Sequence, residues 1–251
     1  MGTPLSILDY RQPLEFHLGE VVTRSWTILS RHLLTFLGLV AVMEAIPLFI
    51  TPKIAPALGR PGRLFDNALL TLATALITVI FSALSQSVVV FATFQDLRGA
   101  EIDARESLRV GLARVIPVIV TSVLMGLIVG FGVILLLIPG LIALAGFSVA
   151  LPACVVERDG PIASLSRSFE LTRGHWWPIL GVSVSLFVVS AIVGFAIRAA
   201  IPSQGLPATI LAWAWNVFFT SYSSVYAANL YHDLRAVKEG IGIEQIASVF
   251  D

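Results

Sequence analysis

Cysteine is almost missing. The one present, Cys154, sits inside an apolar run, so an internal disulfide is excluded and no oxidising compartment is implied. A small buried side chain is its expected role. Charge is scarce as well: Asp, Glu, Lys and Arg make up 13% of 251 residues, with 16 acids against 16 bases. That balance provides no basic surface for a nucleic acid. The four histidines, His17, His32, His175 and His232, lie apart without ligand spacing, so no metal or other cofactor is expected. They read as packing residues near a membrane surface. His232-Asp233 has no activated nucleophile beside it, and there is neither a Gly-rich phosphate loop nor a His-Glu-x-x-His pair. No enzyme activity is expected. The first thirty residues mix charges of both signs without a compact apolar core, so a cleaved signal peptide is not expected either.

What the chain has in quantity is apolar length. It is 57% hydrophobic with mean hydropathy +0.89, the balance of a polytopic membrane protein. The fold class read from this is all-α, with six transmembrane helices. A tail at 1–16 precedes a single membrane domain at 17–231, and a charged tail occupies 232–251. The spans fall at about 33–50, 68–94, 115–138, 141–156, 176–197 and 207–231. The uncharged run 115–156 holds 42 residues, about 63 Å as a helix, twice a hydrocarbon core of about 30 Å. It must cross twice, with Pro139-Gly140 as the natural hairpin. Gly126 and Gly130 in its first half suit close helix approach. Pro52, Pro56, Gly59, Pro61 and Gly62 mark 51–67 as a loop, and 202–207 is a second turn.

Three short amphipathic segments stand before the span pairs, at 17–31, within 96–114, and from Pro161 to Arg173. In the third, Ile162, Leu165 and Phe169 share one face, while Arg167, Glu170 and Arg173 turn to water or headgroups. Shifting the first by 143 residues lays Arg24-Ser25-Trp26 on Arg167-Ser168-Phe169 and His32 on His175. Glu106-Ser107-Leu108 fits the middle copy more loosely. The unit is an interfacial helix followed by a membrane hairpin, repeated three times. Twelve Lys and Arg fall on the side of the amphipathic segments, and four (Lys53, Arg60, Arg63, Arg198) on the other. The positive-inside rule then puts both termini and the interfacial helices in the cytoplasm. Arg24, Arg31, Arg109, Arg114, Arg167 and Arg173, with Trp176 and Trp177, are the candidate headgroup contacts.

Two passages carry a family likeness. One is Glu157 followed by Ala163-Ser164-Leu165-Ser166-Arg167-Ser168-Phe169-Glu170-Leu171-Thr172-Arg173-Gly174 and a Trp-rich entry. The other is Tyr231-His232-Asp233-Leu234-Arg235 with Lys238-Glu239-Gly240. Together they resemble a bacterial inner-membrane family related to the membrane domain of some glycerophosphodiester phosphodiesterases, with stand-alone six-helix relatives. The resemblance covers most of the chain in layout and about thirty residues in motif. In fused relatives catalysis belongs to a separate soluble barrel of about 250 residues, for which the connections here are too short. The likeness therefore implies a place in the bacterial inner membrane and no phosphodiesterase activity.

Within the spans the sharpest residue is Glu44, the one acid inside an expected crossing. Intramembrane carboxylates serve as proton relays or cation ligands, or stay protonated against a neighbouring helix. Its position, eleven residues past Leu33, is about 16 Å along the axis. Asn216, Thr220, Ser223 and Ser224 form a polar stripe on the last helix, expected to bond to other helices, with Trp213 and Trp215 as an aromatic belt. Thr71, Thr74, Thr78, Ser82 and Ser85 form another stripe, expected at a helix contact. Two functions follow. One is a scaffold or accessory subunit binding membrane lipids and a membrane-protein partner or second copy. The other is a transporter or lipid-handling protein using Glu44 with Asn216, Thr220 and Ser223. A hydrated cavity joining Glu44 to Asn216 would favour the second.

Overall fold

The structure, a computed structural model, describes residues 18–58, 64–201 and 205–239. Among them every regular element is a helix: α1 (Leu18–Arg31), α2 (Leu33–Leu58), α3 (Leu64–Leu97), α4 (Ala104–Ala113), α5 (Val115–Leu135), α6 (Leu137–Gly146), α7 (Ala150–Val156), α8 (Pro161–Thr172), α9 (Trp176–Ala200) and α10 (Leu206–Glu239). The tail expected at 1–16, His17, the centre of the 202–207 turn and the chain from 240 lie outside the described residues.

Five described stretches are long and apolar enough to cross a membrane: Leu33–Thr51, Asn67–Leu97, Val115–Leu135, Leu137–Val156 and Trp176–Ala200. The sequence predicts six. The missing one lies in α10, whose 34 residues are ample in length but include Asn216, Thr220, Ser221, Ser223, Ser224 and Asn229. These dilute its hydropathy, and its position explains why they are tolerated. It packs against α1, α2 and α3, and Val217, Val225, Ala228, Leu230 and Leu234 are buried there. A helix enclosed by other helices can hold polar groups that a lipid-facing one cannot. It also continues unbroken to Glu239, through residues expected in a tail.

The run 115–156 does fold back on itself. Thr121 Oγ1 lies 3.6 Å from Cys154 Sγ, and Gly132 faces Gly140, so its halves are antiparallel. The reversal falls at Leu136, in extended backbone, and not at Pro139-Gly140. Pro139 stands in the first turn of α6, where a missing N–H costs nothing. Gly140 serves approach: a Cβ there would lie 2.3 Å from Val133 N. Gly126 and Gly130, expected to do this, face open space within 4 Å.

The returning half is broken after Gly146, and α7 starts at Ala150. Side chains of α8 satisfy the freed backbone. Ser168 Oγ donates to Gly146 O at 2.7 Å and accepts from Val149 N at 3.3 Å, and Thr172 Oγ1 donates to Gly146 O at 3.2 Å. Such repair is what allows irregular backbone at membrane depth. Gly146 itself admits the Phe169 ring, which a Cβ would meet at 2.6 Å.

The three amphipathic helices are α1, α4 and α8, and each turns a fully buried serine inward: Ser25, Ser107 and Ser168. Ser25 Oγ accepts from Asn229 Nδ2 of α10 at 3.1 Å, and Ser107 Oγ donates to Gln95 Oε1 of α3 at 3.2 Å. These helices are pinned to the bundle as well as facing outward. Two expectations about them change. Ile162 is exposed while Leu165 is buried, because Ile162 lies in the first turn of α8 beyond the edge of the bundle. And α3 runs on to Leu97, so α4 covers only Ala104–Ala113, capped by Asp103 accepting from Arg105 N and Glu106 N.

The expected loop at 51–67 is mostly helix as well. α2 reaches Leu58 and α3 begins at Leu64, leaving only 59–63 outside the described residues. Thr51 Oγ1 donates to Pro47 O at 2.7 Å, one turn back in the same helix.

Candidate functional site

The helices do not close evenly around α10. α2 packs along α3 and α5 along α6, but α9 meets α10 over a shorter stretch and leans on α6. A groove of about 610 Å³ remains, walled by α3 and α9, with α10 and Glu44 of α2 completing it. Six residues of α9, from Phe187 to Arg198, line it, and the rise between those two is about 16 Å along the helix axis, half a hydrocarbon core.

All four candidate intramembrane residues meet here: Glu44, Asn216, Thr220 and Ser223 line the groove. Glu44 is 6% exposed, and Ser85 Oγ donates to its Oε1 at 3.4 Å. No Lys, Arg or His among the described residues forms a salt bridge with it. The α10 stripe does not bond to other helices as expected. Thr220 Oγ1 donates to Asn216 Oδ1 at 3.1 Å, and Ser223 and Ser224 donate to Thr220 O, all within α10. The gap towards α9 is the reason: no partner stands opposite. The interhelical bond comes lower down, from Asn229 to Ser25.

The α3 stripe divides. Thr71, Thr74 and Thr78 donate to carbonyls of their own helix, Thr78 and Ser82 line the groove, and Ser85 makes the expected helix contact, at Glu44 of α2. Trp215 is not a belt residue. It lies in the groove wall, its ring 6.3 Å from Phe219, and its buried indole N–H has no partner among the described residues. Trp213 Nε1 is buried in the same way.

The groove adds Gln86, Ser190 and Arg198, which the sequence did not mark. Gln86, the one amide in the apolar stretch 68–94, was a signal that could have been read. Arg198 was counted only as a loop charge. It is exposed, in the last turn of α9, at the far end of the groove from Phe187.

The other set of candidates, the interfacial arginines, divides sharply. Arg167 was expected to face water or headgroups and instead turns inward. Its Nε donates to both oxygens of Glu157 at 2.9 and 3.1 Å, and its Nη2 pairs with Glu239. Tyr231 donates to Glu157 at 2.5 Å, and Arg235 Nε to Glu239 at 2.7 Å. Two acids at the tip of α10 and after α7 draw the guanidinium in, where bidentate geometry is strongest. Arg24 pairs with Asp233 at 2.7 Å, and Arg114 donates to Arg158 O at 3.2 Å. Arg31 reaches Asp96 only at 3.9 Å and is largely exposed. Arg109 and Arg173 are exposed, as is Trp177, while Trp176 packs on Phe169 with rings 5.2 Å apart. Only Arg31, Arg109, Arg173 and Trp177 remain open for headgroups.

The histidines are dispersed. His32 Nε2 lies 2.9 Å from Asp96, and His232 Nδ1 lies 3.1 Å from Asp233. Among the described residues no three metal-ligating side chains cluster.

Among the described residues, an all-helical fold with five stretches fit to cross a membrane and a polar groove is thus the class defined by fold and site. A family model described as Domain of unknown function (DUF7847) matches residues 70–231, and the chain belongs to that family. The match takes in the groove residues of α3, α9 and α10, while Glu44 precedes it. No curated protein and no solved structure matches the chain.

Proposed function

We propose that this is a non-enzymatic integral membrane protein that binds and moves a molecule dissolved in, or entering from, the bilayer. α10 is the sixth crossing, at the centre of three interfacial-helix and hairpin units. The charge count orients both termini towards the cytoplasm. The likeness to the membrane domain of glycerophosphodiester phosphodiesterases supports a bacterial inner membrane as the location.

One observation carries the reading: a single groove joins Glu44 to Asn216, Thr220 and Ser223. A packing carboxyl needs no such space around it. Pockets of about 300–1,000 Å³ with a few convergent polar groups are the usual form of ligand sites. An ionisable group lining such a space within a membrane is a functional candidate by default. The scaffold reading keeps its footing on the open face of α5, where Gly126 and Gly130 meet nothing within 4 Å among the described residues and a membrane-protein partner or second copy would pack.

The test is reconstitution. Purified protein in proteoliposomes should accelerate transbilayer movement of head-labelled lipid or amphiphile, and Glu44→Gln should abolish that movement while the variant remains folded and monodisperse. Equal movement with both proteins removes Glu44 from the mechanism. No movement with either, together with reproducible co-purification of a membrane complex, returns the scaffold reading.

A further inference from the structure

The groove's chemistry specifies a ligand more narrowly than its volume does. We propose that it takes an amphiphilic amine, a molecule with an ammonium head on a hydrocarbon body, seated with the head at Glu44. This rests on the reading of the groove as a ligand site.

The argument starts from charge. Glu44 is 94% buried by its 6% exposure, lines the groove, and has one hydroxyl partner at 3.4 Å. Isolating an ionised carboxylate in a low-dielectric interior costs several kcal/mol unless a counter-charge reaches it. The protein supplies none: Glu44 takes part in no ion pair among the described residues. Arg198 is the one cation in the groove lining and lies eleven residues of α9 beyond Phe187, about 16 Å along the axis. The missing positive charge must come from a proton or from the ligand itself. A ligand bearing an ammonium replaces the proton. A neutral or anionic one leaves the carboxyl protonated and offers it nothing stronger than a neutral hydrogen bond.

The surroundings suit the same head. Ser82, Gln86, Thr220 and Ser223 share the groove with Glu44, and their oxygens can accept the ammonium's remaining protons. Phe187, Phe195, Trp215 and Phe219 form the aromatic part of the wall. Aromatic faces hold a hydrocarbon body, and near the head they add cation–π attraction of about 0.5–2 kcal/mol.

Route of entry decides between a small hydrophilic cation and an amphiphile. Arg198 is exposed at the groove's far end, where its charge opposes cations arriving from water. α3 and α9, the two walls, do not pack against each other to any extent. The gap between them opens towards the surrounding lipid, and Phe187, Phe195 and their neighbours on α9 are exposed there. A molecule already partitioned in the bilayer enters sideways and avoids Arg198.

The experiment uses the full chain in nanodiscs of neutral lipid, with a photoactivatable diazirine alkylamine as probe and peptide mapping of the adducts. Dodecylamine, dodecanol and dodecyl sulfate compete. The expected result is saturable labelling on α3, α9 and α10 groove residues, displaced by dodecylamine at concentrations at least tenfold below those of the other two. Glu44→Gln should weaken dodecylamine at least tenfold, and Glu44→Asp should restore most of the difference. The competitor series on the unaltered protein does not depend on either variant folding. Displacement by dodecanol or dodecyl sulfate at equal or lower concentration overturns the amine assignment and leaves the groove a ligand site. Labelling that no competitor saturates overturns the ligand-site reading itself.

Discussion

The hairpin of α5 and α6 and the pair of α9 and α10 begin from similar material, two apolar helices joined by a short connection, and end in opposite states. In the first, Gly132 and Gly140 bring the backbones into contact, and a Cβ at Gly140 would strike Val133 N at 2.3 Å. In the second, Gly194 faces a groove, and a Cβ there meets nothing within 4 Å. Lipid tails are as apolar as leucine, so no hydrophobic drive closes a gap inside a bilayer; only close-fitting surfaces or polar bonds do. α5 and α6 have the fit. α10 turns Asn216, Thr220 and Ser223 towards α9, which offers Ser190, Gly194 and the rings of Phe187 and Phe195 instead of complementary partners. Where the helices emerge beside α1 and α8, Arg167 with Glu157 and Glu239, and Arg24 with Asp233, tie α10 down again. The molecule is bolted at one end and open at the other.

That contrast breaks first at Gly140. Gly140→Leu should abolish the folded, monodisperse protein, because overpacking costs about 1–3 kcal/mol in an ordinary core and here the clash is with backbone. Gly194→Leu, the same change on the open side, should leave thermal stability within about 0.5 kcal/mol, the range of substitutions that meet no packed neighbour. It should nevertheless reduce groove labelling several-fold, and intact labelling would show that the groove is not where ligand sits. Next in size is Arg167→Ala, measured by thermal unfolding in mild detergent. Removing it leaves Glu157 with Tyr231 and Glu239 with Arg235 alone, and a fully buried pair broken outright costs about 3–5 kcal/mol. With side chains 14–25% exposed, the expected loss is smaller, about 2 kcal/mol. Arg24→Ala breaks a pair whose guanidinium is 40% exposed and should cost under about 1 kcal/mol. Ser168→Ala falls between them, at about 1–2 kcal/mol, since it leaves Val149 N–H without its α8 partner and Gly146 O with the Thr172 hydroxyl alone from that helix.

Much of this was legible in the chain, and the parts that were not share a cause. Apolar length placed the five described stretches fit to cross a membrane, and the 143-residue shift put Ser25 and Ser168 at equivalent, fully buried positions. It also put Arg24 and Arg167 where each meets an acid of α10, Asp233 and Glu239. Periodicity could say that Arg167 lay on the polar face of α8. It could not say that α10 would carry a carboxylate to that face, because the partner is 72 residues away. The same limit hid the groove. Thr78 and Asn216 read as helix-contact residues because polar groups in spans usually bond across helices. Whether a neighbour stands opposite is a matter of how far α9 tilts from α10, which no local pattern encodes. Pro139-Gly140 misled differently: the pair has the composition of a turn, but its glycine is used for contact and its proline for a helix start.

The smallest expected effect tests the bolted end without cutting a bond. His175 precedes α9, and burial, with the charge of Lys238 adding to it, holds the imidazole below its ordinary value. In the unfolded chain it titrates near 6.5. Between that value and the lower folded one, the unfolded chain binds more protons, so stability falls as pH drops. The contribution is fully present above about pH 6.5 and is lost as acid carries the solution through the folded value. His175→Asn should therefore flatten the fall in unfolding temperature between pH 7 and pH 5. Lys238→Gln should flatten it in part, since burial is the larger cause and remains. Lys238 Nζ also donates to Arg173 O at 2.9 Å, so that variant lowers stability at every pH, and only the slope reports on His175. An unchanged slope in His175→Asn would remove His175 as the source of the acid sensitivity.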